Sequence, residues 1–292
     1  MHLRRAATLA SALGTQRLSP LHGRTAAVEP LCQRDALLKT VDQYLQGLNM
    51  GLAGPLENIA DDFVYRENNK TMDITTGVFF KQLPIDFNRT IVDEPACATF
   101  TESIHVSDPR RAPYVIGGQI RHHPADMSVY LIDVVASTTG DWLFNASAAL
   151  GYAQQETDWQ PLTAEEQAAP GQSRAALRAA ADAYLDMWSN ASAVAAVPWG
   201  TPCERLEGGA YTGNGSATDS CTLGVPTDNT QPPNSHRRYV IDVDMGSVDV
   251  FSVFEHLGNA PDSHLFRIQG GKLRHVHTIT VLSNHTNVAD RI

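Results

Sequence analysis

Apolar residues recur at intervals of three and four positions in two segments of the chain, a spacing typical of an amphipathic helix. One helix is predicted over Asp35 to Leu48 and another over Arg174 to Trp188. The pattern of the first comprises Leu37, Val41, Tyr44, Leu45 and Leu48. Each helix is followed by a turn-rich region and then by segments of strand character.

These later segments are rich in β-branched and alternating apolar residues. Val129 to Val135 is one predicted strand, and Pro113 to Ile116 is another that corresponds loosely to Arg238 to Ile241. Near the C-terminus, Gln269 to Lys272 contains two glycines and predicts a hairpin turn, because glycine accepts positive φ. One helix followed by an antiparallel meander is an α+β unit, whose sheet curls around the helix and leaves a cavity.

The chain contains an internal sequence repeat. Six residues recur as the same residue type 140 positions later in the chain. The pairs are Arg34 and Arg174, Leu37 and Leu177, Asp42 and Asp182, Tyr44 and Tyr184, Leu45 and Leu185, and Glu67 and Glu207. So many identities without a gap indicate a duplication. We therefore predict one unit over residues 28–150, a polar linker over 151–173, and a second unit over 174–292.

Composition narrows the class of protein. The chain has 292 residues, 42% of them hydrophobic and 18% charged, which is typical of a globular protein with two cores. Its net charge of −10 argues against nucleic acid as a partner. No apolar run approaches the roughly 20 residues that span a bilayer, so a soluble protein is predicted.

The N-terminus and two sequence features predict entry into the secretory pathway. Residues 1–27 resemble a signal peptide with a weak apolar stretch, for which an Arg-rich mitochondrial presequence is the alternative. Six N-x-[ST] sequons are present where chance gives roughly two, at Asn69, Asn88, Asn145, Asn190, Asn214 and Asn284. The four cysteines are Cys32, Cys97, Cys203 and Cys221, and they lack metal-type spacing. Of three pairings, Cys32–Cys97 with Cys203–Cys221 keeps one bridge in each half.

Candidate chemistry is concentrated in the second half. The sequence has no Gly-rich nucleotide loop, no H-E-x-x-H and no G-x-S-x-G, and it predicts neither a cofactor nor a metal. Arg205 and Glu207 are two residues apart, so in a strand both point the same way. They form either a catalytic pair near a cavity or a structural ion pair. The first half retains Glu67 but has Tyr65 opposite Arg205, which favours structure.

Four further residues are candidates. His264 begins a strand and is a general acid or base, or else a residue bonded to Asp262. His277 shares a strand face with His275, and one of the two is expected in the cavity as a hydrogen-bond partner. Trp199 is expected in a loop, where it either covers the pocket or anchors its own loop, and Tyr239 is expected either to offer its hydroxyl to the pocket or to pack.

The order of helix and strands resembles a duplicated NTF2-like fold, which is also called SnoaL-like or ketosteroid-isomerase-like. Specific segments resemble a fungal family of secreted proteins with paired NTF2-like halves: Tyr65 to Asn69, Cys203 to Gly209, Arg237 to Val240 and Pro261 to Arg267. The resemblance covers residues 32 to about 282. Some members resemble hetero-Diels–Alderases, which join tropolones to humulene-type sesquiterpenes.

This resemblance implies a cofactor-independent cyclase that acts on an apolar small molecule. Arg205 or a histidine would bond the tropolone oxygens, while aromatic residues hold the hydrocarbon. A dimerising cyclase of another polyketide pathway and a secreted non-catalytic binding protein are the alternatives. Whether the protein forms a homodimer is left open. Because the first half lacks counterparts of the second half's histidines and of Arg205, we predict one working cavity, mainly within residues 174 to 282.

Overall fold

The structure, a computed structural model, describes residues 32–225 and 229–282. The first half comprises α1 (Arg34–Met50), β1 (Ile59–Glu67), β2 (Lys70–Thr71), β3 (Phe87–Asp93), β4 (Ala98–His105), β5 (Tyr114–His122) and β6 (Val129–Thr138). Two short helices follow, α2 (Ala146–Gln155) and α3 (Ala164–Gln167). The second half comprises α4 (Arg174–Asp186), α5 (Ala191–Val194), β7 (Trp199–Glu207), β8 (Ala210–Tyr211), β9 (Asn234–Asp242), β10 (Ser247–Phe254), β11 (Ala260–Gln269) and β12 (Lys272–Thr280).

Each half forms one six-stranded sheet, and the two sheets have the same strand order. The first sheet runs β2-β1-β6-β5-β4-β3, and the second runs β8-β7-β12-β11-β10-β9. Neighbouring strands are antiparallel except for the pairs β1–β6 and β7–β12, which are parallel. The described chain is therefore an α+β protein with two tandem sheet units, as the sequence predicted at this level.

The offset of 140 positions extends to the backbone of the first elements in each half. It relates the starts of α1 and α4, both ends of β1 and β7, and both ends of β2 and β8. Beyond β8 the loops differ in length, so the offset changes. The loose match between Pro113 to Ile116 and Arg238 to Ile241 is therefore wrong: the first segment lies in β5, whose counterpart is β11, and the second lies in β9, the counterpart of β3.

Both long helices form where the apolar spacing predicted them. In α1 the side chains of Leu37, Val41, Tyr44 and Leu48 are buried. The helix ends at Gly51, whose φ of 67° places it in the left-handed region that glycine adopts without strain. In α4 the apolar face is likewise buried, and the side chain of the preceding serine caps the first turn. Each helix thus contributes one face to the core of its half.

The predicted hairpin near the C-terminus is confirmed. β11 and β12 pair in antiparallel register up to Gln269 and Lys272. Between them, Gly270 and Gly271 have φ values of 60° and 70°. Two successive positive φ values suit the right-handed twist of the flanking strands. The turn fixes which residues of β12 face each side of the sheet.

The two halves exchange reciprocal ion pairs. Arg34 of α1 donates to Asp242 at the end of β9 over 2.7 Å, and Arg174 of α4 donates to Asp93 at the end of β3 over 2.8 Å. Each aspartate also accepts a hydrogen bond from a backbone N–H in the edge strand of the opposite half. Both carboxylates are fully buried. The halves therefore pack against each other with approximate twofold symmetry.

Residues 151–173, predicted to be a linker, contain the end of α2 and all of α3. Several of their side chains pack between the halves. Trp159 is 8% exposed, and its indole Nε1 donates to Glu156 over 2.9 Å. The Arg89 guanidinium of β3 lies 4.0 Å from the centroid of the Trp159 ring. The segment thus contributes to the core between the two sheets.

Both disulfides pair cysteines within one half. Cys32, just before α1, is bonded to Cys97, and Cys203 in β7 is bonded to Cys221. The described residues contain no helix that is long and apolar enough to cross a membrane. Two disulfides fit a protein of the secretory pathway. The predicted signal peptide, residues 1–27, lies outside the described residues.

Candidate functional site: a cavity in the second half

A cavity of about 420 Å³ lies between the second sheet and the loops that follow α4 and β8. Its apolar wall consists of Trp142, Leu143, Leu223, Phe254 and Leu257. Its polar lining includes Trp188, Arg205, Glu207, Gln231, His264 and Thr278. Only Trp142 and Leu143 come from outside residues 174 to 282, so the cavity belongs mainly to the second half, where the sequence predicted one.

Arg205 and Glu207 project from β7 into this cavity on the same side of the strand, as their spacing predicted. Arg205 Nη1 lies 3.3 Å from Glu207 Oε1. The guanidinium also donates to the hydroxyl of Tyr184 in α4 and to the carbonyl of Leu223. The side chain of Arg205 is 5% exposed and that of Glu207 is 15% exposed. The pair is therefore both an ion pair that ties β7 to α4 and part of the cavity wall.

His264 lies on β11 and forms a buried dyad with an aspartate. Its Nδ1 is 2.6 Å from Asp262 Oδ2. Asp262 also accepts hydrogen bonds from Ser252 and Thr280, so its carboxylate is held in place. Burial opposes protonation of His264, but the Asp262 carboxylate raises the pKa of the imidazole above its usual value. An Asp–His pair at a cavity wall is suited to transferring a proton to or from a bound molecule.

Buried polar atoms without a hydrogen-bond partner are concentrated at this cavity. Five of those found in the described residues belong to its lining: Trp188 Nε1, Arg205 Nε, Glu207 Oε1, Gln231 Oε1 and Thr278 Oγ1. A buried donor or acceptor left unpaired costs about 1–3 kcal/mol. Such atoms are usually hydrogen-bonded in the native state, so five of them in the residues that line one cavity indicate a polar ligand or ordered water there.

The corresponding space in the first half is filled by protein. At the strand positions that match Arg205, His264 and Thr278, the first half has Tyr65, Gly118 and Val134. A Cβ atom on Gly118 would lie 2.9 Å from the Tyr44 hydroxyl, so the missing side chain makes room for the tyrosine. Phe79, which is fully buried, packs against Tyr44 with 5.5 Å between ring centroids. The described first half is therefore packed solid where the second is hollow.

His277 does not lie in the cavity, contrary to the expectation for one of the two C-terminal histidines. Residues of β12 alternate between its faces, so Thr278 and Thr280 face the cavity while His275 and His277 face the other half. Nδ1 of His277 is 3.0 Å from Glu102, and Nε2 is 2.8 Å from Glu156. Although burial would lower it, these carboxylates raise the pKa of His277 to about 9.

Trp199 and Tyr239 also lie outside the cavity lining. Trp199 begins β7 instead of lying in a loop, and its Nε1 donates to the carbonyl of Val194 over 3.1 Å. The Tyr239 hydroxyl bonds to Asp182 of α4, and its ring packs under the guanidinium of Arg178 at 4.3 Å. Both rings anchor helices to the sheet. Neither side chain lines the cavity, and for Tyr239 the structure shows the packing alternative.

Several lining residues were not predicted. Trp142 and Leu143 follow β6 and are 37% and 50% exposed, so they form the rim contributed by the first half. The repeat could have pointed to Trp188 as a lining residue. Its counterpart at the 140-position offset is Leu48, which is fully buried in α1. A change from leucine to a larger residue with an N–H donor marks a position where the two halves differ in chemistry.

Four sequon asparagines are exposed in the structure: Asn88, Asn145, Asn190 and Asn214. Asn69 is half-buried, and its Oδ1 accepts a hydrogen bond from Arg238 of the other half. Asn284 lies outside the described residues. Glycosylation stays a prediction at each of them. Among the described residues, no group of three or more His, Cys, Asp or Glu side chains is arranged to hold a metal ion.

Comparison with known proteins adds one finding. Residues 171–280 match a family model described as a domain of unknown function, DUF8021. The match runs from the loop before α4 to the end of β12 and includes most of the cavity. No curated protein and no solved structure matches the chain.

Proposed function

We propose that the second-half cavity binds an apolar small molecule that carries oxygen atoms at one end, and that the protein promotes its cyclisation or isomerisation without a cofactor. The proposal rests mainly on five buried polar atoms that lack a hydrogen-bond partner and belong to the lining of a cavity with an apolar wall; one of them, Glu207 Oε1, has an ion pair with Arg205. A volume of about 420 Å³ falls within the range of small-molecule sites. The site offers donors and acceptors at one end and hydrocarbon contacts at the other.

The polar groups suggest distinct roles. Arg205 Nε, Trp188 Nε1 and the Thr278 hydroxyl can donate hydrogen bonds to carbonyl or phenolate-type oxygens of the ligand. Glu207 and Gln231 can accept from its hydroxyl groups. Donors fixed in a buried site stabilise charge that develops on an oxygen without first having to reorganise.

His264 would transfer a proton. Asp262 occupies Nδ1, which leaves Nε2 as the ring nitrogen available to a molecule in the cavity. Because its pKa is raised, the imidazole keeps its proton to higher pH than an unperturbed histidine and can act as a general acid. A leaving hydroxyl group of the ligand is the natural acceptor of that proton.

The narrower proposal is an NTF2-like fold and a hetero-Diels–Alder reaction between a tropolone and a humulene-type sesquiterpene. The helix packed on a six-stranded sheet in each half supports the first part, and the mixed lining supports the second. His264 would protonate the leaving hydroxyl of a hydroxymethyl tropolone, and the ring hydroxyl would return a proton as it becomes a carbonyl. Water leaves, an ortho-quinone methide forms, and the alkene adds across it, making one C–C and one C–O bond.

Binding is tested first, with a hydroxymethyl tropolone and the fluorescence of the tryptophans at the cavity. Thr278→Val installs the residue found at the matching first-half position and removes one hydroxyl, so we expect affinity to fall roughly three- to tenfold. Thr99→Val makes the same change at a buried threonine of β4 in the filled first half, whose hydroxyl also lacks a hydrogen-bond partner, and should leave affinity unchanged. Saturable binding that Thr278→Val does not weaken would place the ligand elsewhere.

Catalysis is tested separately by incubating the protein with the hydroxymethyl tropolone and humulenol. The expected result is a higher adduct yield, or a different stereochemistry, than the spontaneous reaction gives, with His264→Gln lowering the rate. Binding without any change in yield or stereochemistry would leave a non-catalytic binding protein. A dimerising cyclase of another polyketide pathway would be indicated by dimeric products from a single polyketide substrate.

A further inference from the structure

A second cavity, of about 490 Å³, lies on the opposite face of β12 from the first. It is lined by residues at the end of α2, by β7 and β8, and by the loop after β8. Its chemistry differs from that of the first cavity. Three carboxylates line it, those of Glu156, Asp158 and Glu204, together with two tyrosines, Arg274 and His275.

The two tyrosines form a stacked aromatic wall. The rings of Tyr152 in α2 and Tyr211 in β8 are parallel within 7°, with centroids 4.4 Å apart. The Tyr211 hydroxyl donates to Glu204 over 2.6 Å, which fixes the carboxylate beside the rings. A Cβ atom at Gly213 would lie 2.7 Å from the Glu204 side chain, so the loop closes tightly against it. Glu204 is thus held in one place and is 13% exposed.

His275 lines this space and has one ring nitrogen without a hydrogen-bond partner. Its Nε2 lies 3.0 Å from both carboxylate oxygens of Asp158. Its Nδ1 is buried without a hydrogen bond, 3.5 Å from Glu156 and 3.7 Å from Glu204. The side chain is only 7% exposed, so bulk water does not satisfy this atom. An unpaired nitrogen between two carboxylates indicates that something polar belongs there.

The charges of the three carboxylates are not equally balanced. Glu156 is neutralised by Arg89 at 3.1 Å and by His277 at 2.8 Å. Asp158 accepts a hydrogen bond from Nε2 of His275. Glu204 accepts a hydrogen bond from the Tyr211 hydroxyl and lies 3.7 Å from Nδ1 of His275, but it has no arginine or lysine within ion-pair distance in the described chain. Glu204 is therefore the carboxylate available to a positively charged ligand.

We propose that this second cavity binds a small organic amine in its ammonium form. The ammonium N–H groups donate to Glu204 and to Nδ1 of His275, and the alkyl chain lies against Tyr152 and Tyr211. Aromatic rings next to a carboxylate attract cations through the ring quadrupole and through charge. In the tautomer whose Nε2–H donates to Asp158, Nδ1 of His275 is the acceptor that an ammonium group requires.

The test is calorimetric titration of the full chain with putrescine and with n-butylamine. Saturable binding is expected, together with weakening in higher salt. Glu204→Gln keeps the shape and removes the charge, so it should reduce affinity at least tenfold. Tyr211→Phe keeps the ring and frees the carboxylate, so it should reduce affinity less. Glu165→Gln, an exposed change of the same charge in α3, should leave affinity unaltered.

Three outcomes would overturn the proposal: no saturable amine binding by the wild-type chain, equal affinity in Glu204→Gln, or tighter binding of Ca²⁺ than of either amine at the same site. A tropolone titration of Glu204→Gln distinguishes the two cavities. If the proposed function is correct, Glu204→Gln binds the tropolone with wild-type affinity, whether or not the second cavity binds an amine.

Discussion

Replacing His277 by glutamine tests the ionic network between the halves. The imidazole is 2% exposed and lies between Glu102 and Glu156, with Arg89 beside both. Its pKa rises from 6.5 to about 9. A rise of that size corresponds to roughly 3 kcal/mol of folding free energy at low pH. The same ion pairs lower the pKa of Glu156 to about 2, so both shifts describe one interaction that is counted once.

The sign of the pH dependence follows from these directions. A raised histidine pKa means that the stabilisation is complete below pH 6.5 and is lost as the pH rises through 9. A lowered glutamate pKa means that stabilisation is present above pH 4.5 and is lost as the pH falls toward 2. The network is therefore most stabilising between pH 4.5 and 6.5. There His277→Gln should cost about 3 kcal/mol or more, because two buried carboxylates lose the cation that lies between them.

The assay is urea denaturation of wild type and variant from pH 5 to pH 10. The difference in unfolding free energy should shrink by roughly 3 kcal/mol between pH 6 and pH 10. His123→Gln is the control, because His123 pairs with Asp62 at the surface, where both side chains are well exposed. It should change stability by less than about 1 kcal/mol. A His277→Gln difference that does not vary with pH would refute a charged His277 in the folded state.

Three further predictions concern other parts of the fold. Burial raises the pKa of Asp249 to about 8, so the free energy of unfolding falls increasingly from pH 4 to pH 8 because of this group. Asp249→Asn should therefore stabilise the protein by an amount that grows over that range in denaturation curves. A change that does not vary with pH would contradict this. Removing the Cys203–Cys221 bridge by a double change to alanine should cost about 3 kcal/mol in the same assay, and an unchanged midpoint would show that the bridge does not constrain the unfolded chain. Phe79→Ala should cost about 3–5 kcal/mol and create binding of an apolar dye in the first half; lost stability without dye binding would mean that the space collapses.

The sequence predicted the features that depend on local pattern. Helix spacing located α1 and α4 because one face of each is buried, and paired glycines located the β11–β12 turn. The separation of Arg205 and Glu207 by two residues correctly placed both on one side of a strand. Each of these inferences needs only the geometry of a single element.

The sequence could not say which side of a strand faces which neighbour. Alternation put His275 and His277 on a common face, but only the packing of the halves shows that this face meets Glu102 and not the first cavity. The same limit applied to Trp199 and Tyr239, because an aromatic residue that anchors a helix has the same sequence signature as one that lines a pocket. Contacts between residues more than a hundred positions apart have no local signal.

The reciprocal pairs Arg34–Asp242 and Arg174–Asp93 have a consequence for how such a molecule can change. In a dimer of identical chains, every substitution occurs twice, so both cavities must fill or open together. Here the two copies share one chain, and each can be altered alone while the symmetric contacts hold them in place. In the first half, Phe79 fills the corresponding space and adds to stability. The second half can therefore keep buried polar atoms without hydrogen-bond partners, which would be costly in both halves.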